Sequence, residues 1–158
     1  MLHSTAALTR WLRGAGLIHE ATQADDSGLK RALAIRESLR TLARSEPQDR
    51  RRARLAREQL DAAAAGARIE VRFGPDGPWF AGARGAGVDG AMGALLAIVA
   101  QSIADGSWSR LKVCPGHHCG RAFYDHSRNR SGRWCSMSVC GGHGKARSHY
   151  RRHRTRQA

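Results

Sequence analysis

Four cysteines in the last third of the chain form a regular pattern of two close pairs. Cys114 and Cys119 are separated by four residues, fifteen residues follow, and Cys135 and Cys140 are again separated by four. Two such pairs can converge on one tetrahedral metal ion. Four sulfur ligands select zinc or an iron–sulfur cluster, and the neighbouring arginines and the lack of a redox partner motif favour zinc. Four thiolates also close the coordination shell, so we expect one structural zinc ion.

Disulfides and four buried free thiols are the alternatives for these cysteines. The first sixteen residues do not resemble a secretory signal, because Arg10 and Arg13 interrupt the apolar stretch. A reducing compartment is therefore expected, and it disfavours disulfides. Without an export signal the cytoplasm is the expected location, and the abundance of arginine and alanine fits a GC-rich bacterial genome.

Six histidines lie in the same region and are alternative ligands. His143 follows Cys140 by three residues and is the most credible substitute for a cysteine. His117 and His118 lie between the members of the first pair, and we expect them to be exposed loop residues.

Positive charge is concentrated around the cysteines. The whole chain has 27 Lys and Arg against 13 Asp and Glu, but residues 110–158 alone hold 12 basic side chains and one acidic side chain, Asp125. One-sided charge is typical of a polyanion-binding surface, and a solubilising tail is the alternative. The candidate nucleic-acid contacts lie between the cysteine pairs and after them: Arg128, Arg130, Arg133, Lys145, Arg147, Arg151, Arg152 and Arg154.

The basic segment predicts a treble-clef-like finger. We expect a hairpin between the cysteine pairs, with Phe123 and Tyr124 on one strand, a turn at Gly132, and Arg133 and Trp134 on the other. A basic helix after Cys140 can enter the major groove of duplex DNA. Arginine contacts phosphate more often than bases, so phosphate contacts are expected to dominate.

Residues 1–106 predict a mostly helical domain with one β-hairpin, which makes the fold class α+β. Helices are expected at 5–12, from a Ser27 cap to 43, from Asp49 to a stop at Gly66, and at about 88–105, with a break at Pro47. In the second helix, the predicted buried face consists of leucines at helical spacing: Leu29, Leu33, Leu39 and Leu42.

A hairpin is expected between the third and fourth helices. Ile69, Val71 and Phe73 alternate with charged residues, 75–77 has turn chemistry, and 79–80 would be the returning strand. A glycine-rich loop at 82–90 follows. The longest uncharged run, 90–104, is shorter than a bilayer span, so we expect a buried helix and no membrane partner.

The finger residues resemble those of the CGNR zinc finger family, whose members carry this finger behind a mostly helical domain called ABATE. The matching runs are Cys114-Pro115, Cys119-Gly120, Phe123-Tyr124-Asp125, Ser127-Arg128-Asn129, Arg133-Trp134-Cys135-Ser136-Met137, Cys140-Gly141 and Lys145-Ala146-Arg147. Upstream, the run Leu33-Ala34-Ile35-Arg36-Glu37-Ser38-Leu39-Arg40 resembles the second ABATE helix.

The resemblance implies an ABATE-like domain at 1–106 and a CGNR-type finger at 110–156. It further implies a stress-response transcription regulator that binds DNA through the finger and uses the first domain for sensing or dimerisation, so a homodimer is among the expected assemblies. The family's defining Cys-Gly-Asn-Arg run reads Cys140-Gly141-Gly142-His143 here. The roles of the family's Asn and Arg are therefore not carried over to 142 and 143.

Other functions are also compatible with the sequence. The finger could bind RNA or a protein partner instead of DNA. A nuclease of the His-Asn-His type is a further alternative, because Asp125 and His126 lie between the two cysteine pairs. Residues 1–106 contain no phosphate loop, nucleophile motif or clearly spaced carboxylate pair, so we expect no enzymatic activity.

Overall fold

The computed structural model describes residues 3–44, 49–67, 69–81 and 87–142. In these ranges the chain is mostly helical with two small antiparallel hairpins, which is the α+β architecture predicted. The elements are α1 Thr5–Gly14, α2 Asp26–Leu42, α3 Arg50–Ala67, β1 Glu70–Gly74, β2 Gly77–Ala81, α4 Gly87–Ala104, a 3-10 turn Ser107–Arg110, β3 Leu111–Val113, β4 Ala122–Tyr124 and a π-helical turn Met137–Gly141. The chain divides into a helical unit, Met1–Leu42 with Pro47–Trp108, and a finger unit, Ser109–Ala158 with Ala43–Glu46.

The central cluster of the helical unit comes from α1, α2 and α4, and α3 packs against it. Leu8 and Leu12 lie one helical turn apart on α1 and are fully buried. They belong to one cluster with Ala32, Ile35, Val88, Ala91, Met92 and Leu96. The cluster thus combines larger apolar residues with two alanines, and small residues let the helices approach closely. At Gly28, for example, an added Cβ would lie 3.1 Å from the Val88 side chain of α4.

The first two helices begin at different kinds of cap. Ser4 Oγ accepts a hydrogen bond from Ala7 N at 3.2 Å, and α1 extends two residues beyond the predicted end. The predicted Ser27 cap of α2 is wrong. Asp25 Oδ1 accepts from Gly28 N at 2.7 Å, while Ser27 uses its hydroxyl to donate to the same carboxylate. The carboxylate of Asp25 accepts hydrogen bonds from both Ser27 and Gly28, and its negative charge is stabilised by the positive end of the helix dipole. Asp25 is therefore the N-cap of α2.

The buried face of α2 also differs from the predicted leucine stripe. Its buried residues are small or polar as well as apolar: Gly28, Ala32, Ile35 and Ser38. Leu29 and Leu39 are only partly buried against the core. Small side chains allow helices to pack closely. The size of the residues, and not the spacing of the leucines, therefore decides which face of α2 is buried.

The third helix begins where it was predicted. Asp49 Oδ1 accepts a hydrogen bond from Arg52 N at 3.1 Å, and Ala53 and Ala56 are buried. The helix continues to Ala67, one residue past the predicted stop at Gly66. The predicted break at Pro47 lies outside the described residues.

The predicted hairpin is present as β1 and β2, with Gly74 opposite Gly77 across the turn. The alternation of apolar residues does not bury them, however, since Val71 is 53% exposed and Phe73 is 82% exposed. Among the described elements, β2 has extensive contacts with a helix, α4, and β1 does not, so β1 lies on the outside of this part of the unit. The loop predicted at 82–90 lies largely outside the described residues, and its last four residues are helical.

The fourth helix is 18 residues long, slightly longer than the uncharged run in the sequence because it includes Asp89. By length and composition it could cross a membrane. Its inner face instead belongs to the core, through Val88, Ala91, Met92 and Leu96. Asp89 forms an ion pair with Arg31 of α2 at 2.8 Å. One face of α4 is therefore buried as predicted, whereas Ile98 and Ile103 are 61% and 59% exposed.

Candidate zinc centre and arginine loop

The first cysteine pair lies in the turn between β3 and β4. The strands are antiparallel, with Leu111 opposite Tyr124, and Cys114 N extends the pairing by donating to Arg121 O at 2.8 Å. Cys119 N donates to Gly116 O at 2.9 Å and closes the turn. Gly120 follows with φ +57°, a left-handed conformation that glycine adopts without strain. The turn therefore brings both sulfurs to one end of the hairpin.

This pairing corrects the hairpin expected between the cysteine pairs. The strand at Phe123 and Tyr124 is present, but its partner is β3, upstream of the first cysteine, and 133–134 forms no strand. Only eight residues join β3 to β4, so the conformational entropy lost on bringing these two strands together is small. This short connection favours β3 as the partner of β4. Gly132 has a different role, described below.

The second cysteine pair lies at the π-helical turn Met137–Gly141. Ser136 caps this turn, since its Oγ accepts from Val139 N at 3.3 Å and its carbonyl accepts from Cys140 N at 3.0 Å. Gly141 is buried, and a Cβ there would collide with the Met137 sulfur. The turn returns the chain so that Cys140 lies beside Cys135.

The four sulfur atoms lie together as a metal site requires. All four are within 4.8 Å of one another, with 3.5 Å between the Cys119 and Cys135 sulfurs and 3.7 Å between those of Cys135 and Cys140. A disulfide would need about 2.05 Å. A tetrahedral zinc site with bonds of about 2.3 Å places its sulfurs about 3.8 Å apart. The donor set and its spacing therefore fit one zinc ion.

The pKa values of the cysteine thiols also favour a bound cation. Burial acts to raise the pKa of Cys114, but backbone N–H groups of Cys135 and Gly116 outweigh it and lower this pKa to about 7. Burial and the neighbouring sulfurs raise the pKa of Cys135 and bring that of Cys140 to about 12. The thiolate of Cys114 is therefore favoured, whereas those of Cys135 and Cys140 are opposed, and a bound divalent cation would stabilise all of these thiolates. The cluster indicates one zinc.

Histidines do not enter this cluster within the described residues, where the metal-binding group consists of cysteines alone. His117 and His118 are exposed, as predicted, and their rings contact each other with Nδ1 and Nε2 2.8 Å apart. His143 lies outside the described residues.

A buried ion pair organises the segment 125–133, here called the arginine loop. Asp125 is only 3% exposed, and its Oδ2 lies 2.6 Å from Lys112 Nζ on β3. The carboxylate also accepts from Ser127 N at 2.9 Å and Gly132 N at 2.8 Å. The hydrogen bond from Lys112, followed by those from Ser127 and Gly132, holds the pKa of Asp125 far below its usual value. The carboxylate thus closes the loop on itself.

Two basic residues upstream of the first cysteine pair hold the loop in place, Lys112 on β3 and Arg110 at the end of the 3-10 turn. Lys112 Nζ donates to Gly132 O at 3.0 Å and to Arg130 O, in addition to its ion pair. Arg110 Nη1 donates to the carbonyls of Asp125 and Ser127 at 3.0 and 2.9 Å. These roles were not predicted, because sequence alone does not distinguish a lysine that anchors a loop from one that binds a ligand.

Glycine is needed at 132 because of the carboxylate. A Cβ there would lie 2.5 Å from Asp125 Oδ1 and 2.7 Å from Cγ. The backbone of Gly132 therefore approaches the carboxylate more closely than any other residue type would permit. This close approach, and not a β-turn, is what the glycine provides.

The arginines predicted to contact nucleic acid differ in their surroundings. Arg128 and Arg133 are exposed, and the Arg133 guanidinium lies over the Trp134 ring at 5.5 Å. Arg130 is exposed as well, but it adopts φ +53° and its Nη1 donates to Ser109 Oγ at 2.9 Å. The remaining candidates lie outside the described residues: Lys145, Arg147, Arg151, Arg152 and Arg154, together with the predicted basic helix.

Comparison with known proteins agrees with this architecture. A family model named ABATE and described as “Putative stress-induced transcription regulator” matches residues 1–106. The CGNR zinc finger model matches residues 110–153. No curated protein matches the chain. The first match spans more than half of the chain, and the second covers the four-cysteine cluster and the arginine loop. The chain therefore belongs to the ABATE family and carries a CGNR zinc finger after its ABATE domain.

Proposed function

We propose that this protein is a zinc-dependent transcription regulator that binds duplex DNA through its finger. The proposal rests on the burial of Asp125, the single acidic side chain of residues 110–158. It is buried and paired with Lys112, so it leaves no negative charge on the finger surface. Among the described residues of the finger, Arg121, Arg128 and Arg133 are exposed, and the sequence of 110–158 supplies no second Asp or Glu to offset them. Such a surface attracts phosphates.

The roles of the parts follow from this proposal. Cys114, Cys119, Cys135 and Cys140 hold the zinc ion, and four thiolates leave no open position for a reacting water. The metal stabilises a unit with few buried apolar side chains and performs no chemistry. The domain at 1–106 serves sensing or dimerisation, and the finger at 110–156 contacts DNA. A cytoplasmic, reducing compartment of a bacterium would keep the thiolates available for metal.

Selection from a random pool of duplex DNA, with zinc content measured on the same preparation, tests the regulator. Enrichment of a common sequence by protein that holds one zinc per chain is expected. Binding without enrichment would leave a nonspecific DNA-binding protein, and no binding would contradict the proposal. The pair Arg151→Ala and Arg152→Ala should weaken all duplexes about equally if these residues contact phosphates.

RNA binding is the second candidate function, and protein binding the third. Both would use the same exposed arginines, since guanidinium groups bind any phosphate or carboxylate. Affinities for matched duplex DNA, duplex RNA and single strands, each measured over a range of salt concentrations, separate these candidates. Duplex DNA is expected to bind most tightly and with the steepest salt dependence.

Nuclease activity is disfavoured by the surroundings of Asp125. Both of its carboxylate oxygens accept internal hydrogen bonds, from Lys112, Ser127 and Gly132, so the group is not directed at a substrate or a second metal ion. Plasmid incubated with the protein and magnesium or manganese should stay intact. Nicking that His126→Ala abolishes would overturn this conclusion.

A further inference from the structure

The outer edge of β1 is exposed and apolar. Among the described residues, β1 pairs only with β2, so its other edge carries no strand. Glu70, Val71, Arg72 and Phe73 are all exposed, and the two apolar side chains are the most unusual for such a position. Exposed edge strands with apolar side chains are templates for pairing with another chain.

The register of the hairpin decides which backbone groups point outward. Pro78 stands opposite Phe73 and has no N–H, so these two form a pair without mutual hydrogen bonds. Hydrogen-bonded and non-hydrogen-bonded pairs alternate along an antiparallel ladder. Glu70 and Arg72 therefore direct their N–H and C=O groups towards β2, whereas Val71 and Phe73 direct theirs to the outer edge.

The twofold axis of an antiparallel pair of β1 strands can be centred on any of several residues, and the choice decides which side chains stand opposite each other. With the axis at Val71, the backbone N–H of each Val71 donates to the carbonyl of the other Val71. Glu70 of each copy then stands opposite Arg72 of the other. With the axis at Arg72, two guanidinium groups face each other. Opposite charges across strands stabilise a sheet and like charges destabilise it, so the charge pattern selects the Val71 axis.

We propose that the protein forms a homodimer through β1, paired with β1 of a second copy about Val71. The result is a four-stranded antiparallel sheet in the order β2, β1, β1, β2. The two Val71 side chains cover each other, and Phe73 lies opposite Ile69 of the second copy on the same face. Each copy has an ion pair within β1, between Arg72 Nη2 and Glu70 Oε2 at 3.0 Å. In the dimer, these two pairs within strands are exchanged for two pairs across the axis.

Charge reversal provides the test, using sedimentation equilibrium of the zinc-loaded full chain without DNA. Glu70→Arg and Arg72→Glu each replace two attractive pairs with two repulsive ones, so each variant should weaken dimerisation roughly tenfold. The double variant Glu70→Arg with Arg72→Glu restores opposite charges and should recover the wild-type dissociation constant. Glu58→Arg, which reverses a charge in the exposed Arg54–Glu58 pair on α3, is the matched control and should leave the dimer unchanged.

Val71→Pro provides a second, independent variant. It removes the N–H that lies on the proposed axis, while the bonds between β1 and β2 are made by neighbouring residues. Dimerisation should be lost with little change in the thermal unfolding midpoint.

Three outcomes would overturn the inference. The wild type could remain monomeric at high micromolar concentration, the single reversals could leave the dimer unchanged, or the double variant could fail to recover it. The inference goes beyond DNA binding and is measured without DNA. A monomer that binds DNA would contradict the inference alone, and a dimer that does not bind DNA would contradict the proposed function alone.

Discussion

Lys112 Nζ lies 2.6 Å from Asp125 Oδ2, and this buried pair joins β3 to the arginine loop. The same ammonium donates to the carbonyls of Arg130 and Gly132 at the far end of the loop. One lysine thus fixes both ends of the segment that carries Arg128, and one carboxylate is removed from the finger surface. The same ion pair therefore stabilises the finger and keeps the negative charge of Asp125 off its surface.

Lys112→Met should therefore destabilise the finger strongly. The substitution leaves a buried carboxylate without its cation and two carbonyls without a donor. We expect the unfolding midpoint of the finger to fall by about 5 °C or more, measured by calorimetry on zinc-loaded protein. Arg121→Met removes an exposed positive charge just before β4 and is the control, for which little change is expected. Equal midpoints for the two variants would refute the anchoring role of Lys112.

Gly132→Ala should distort the loop. The added methyl group would meet Asp125 Oδ1 at 2.5 Å, so the carboxylate must move and lose hydrogen bonds. Gly142→Ala is the matched control, because a Cβ there meets nothing within 4 Å and the residue has an ordinary helical φ of −59°. We expect lower thermal stability and weaker DNA binding for Gly132→Ala alone. Identical behaviour of the two variants would show that the close approach has no energetic consequence.

The Asp25 cap predicts a pH dependence in the helical unit. Hydrogen bonds from Gly28 and Ser27 lower the pKa of Asp25 in the folded protein. A lowered folded pKa contributes stability that is present above the unfolded value of about 3.9 and is lost as the pH falls through the folded value. Asp25→Ala should therefore lower the unfolding midpoint by roughly a few degrees at pH 7 and by less at pH 3.

Ser27→Ala is the control for this cap. It keeps the carboxylate and its bond to Gly28 N, so a smaller effect is expected at pH 7. A larger effect for Ser27→Ala than for Asp25→Ala would restore Ser27 as the cap.

Cys135→Ser should remove the zinc ion. A serine hydroxyl is a poor substitute for a thiolate ligand, and the remaining three sulfurs leave the shell open. We expect zinc bound per chain to fall from one to well below one after dialysis, measured by atomic emission. His117→Ala should keep a full zinc ion, because His117 lies outside the sulfur cluster. Retention of zinc by the serine variant together with loss from the alanine variant would overturn the ligand assignment.

The sequence predicted best what depends on local spacing. The cysteine pairs and the turn at Gly77 are short-range patterns, and the structure brings the four sulfurs together and pairs β1 with β2 as expected. The Asp49 cap was predicted for the same reason, since a cap acts on the next three residues. Such features are set by a few neighbouring residues and do not require knowledge of the tertiary fold.

Features that depend on distant residues were missed. The partner of β4 is β3, and the burial of Asp125 follows from Lys112, which is 13 positions upstream and separated from it by the first cysteine pair. Likewise, the alternation of Val71 and Phe73 predicts a half-buried strand, but only the packing of β2 on α4 reveals that β1 lies outside. Hydrophobic periodicity identifies an element and does not say what covers it.

The salt dependence of duplex DNA binding tests the central claim most directly. The logarithm of the binding constant should fall linearly with the logarithm of salt concentration, and Arg128→Ala with Arg133→Ala should reduce the slope by about two. Arg54→Ala with Arg57→Ala, which removes two exposed charges from α3, should leave the slope unchanged, and zinc-stripped protein should bind far more weakly. Equal slopes for the two double variants, or undiminished binding without zinc, would contradict a zinc-organised DNA-binding finger.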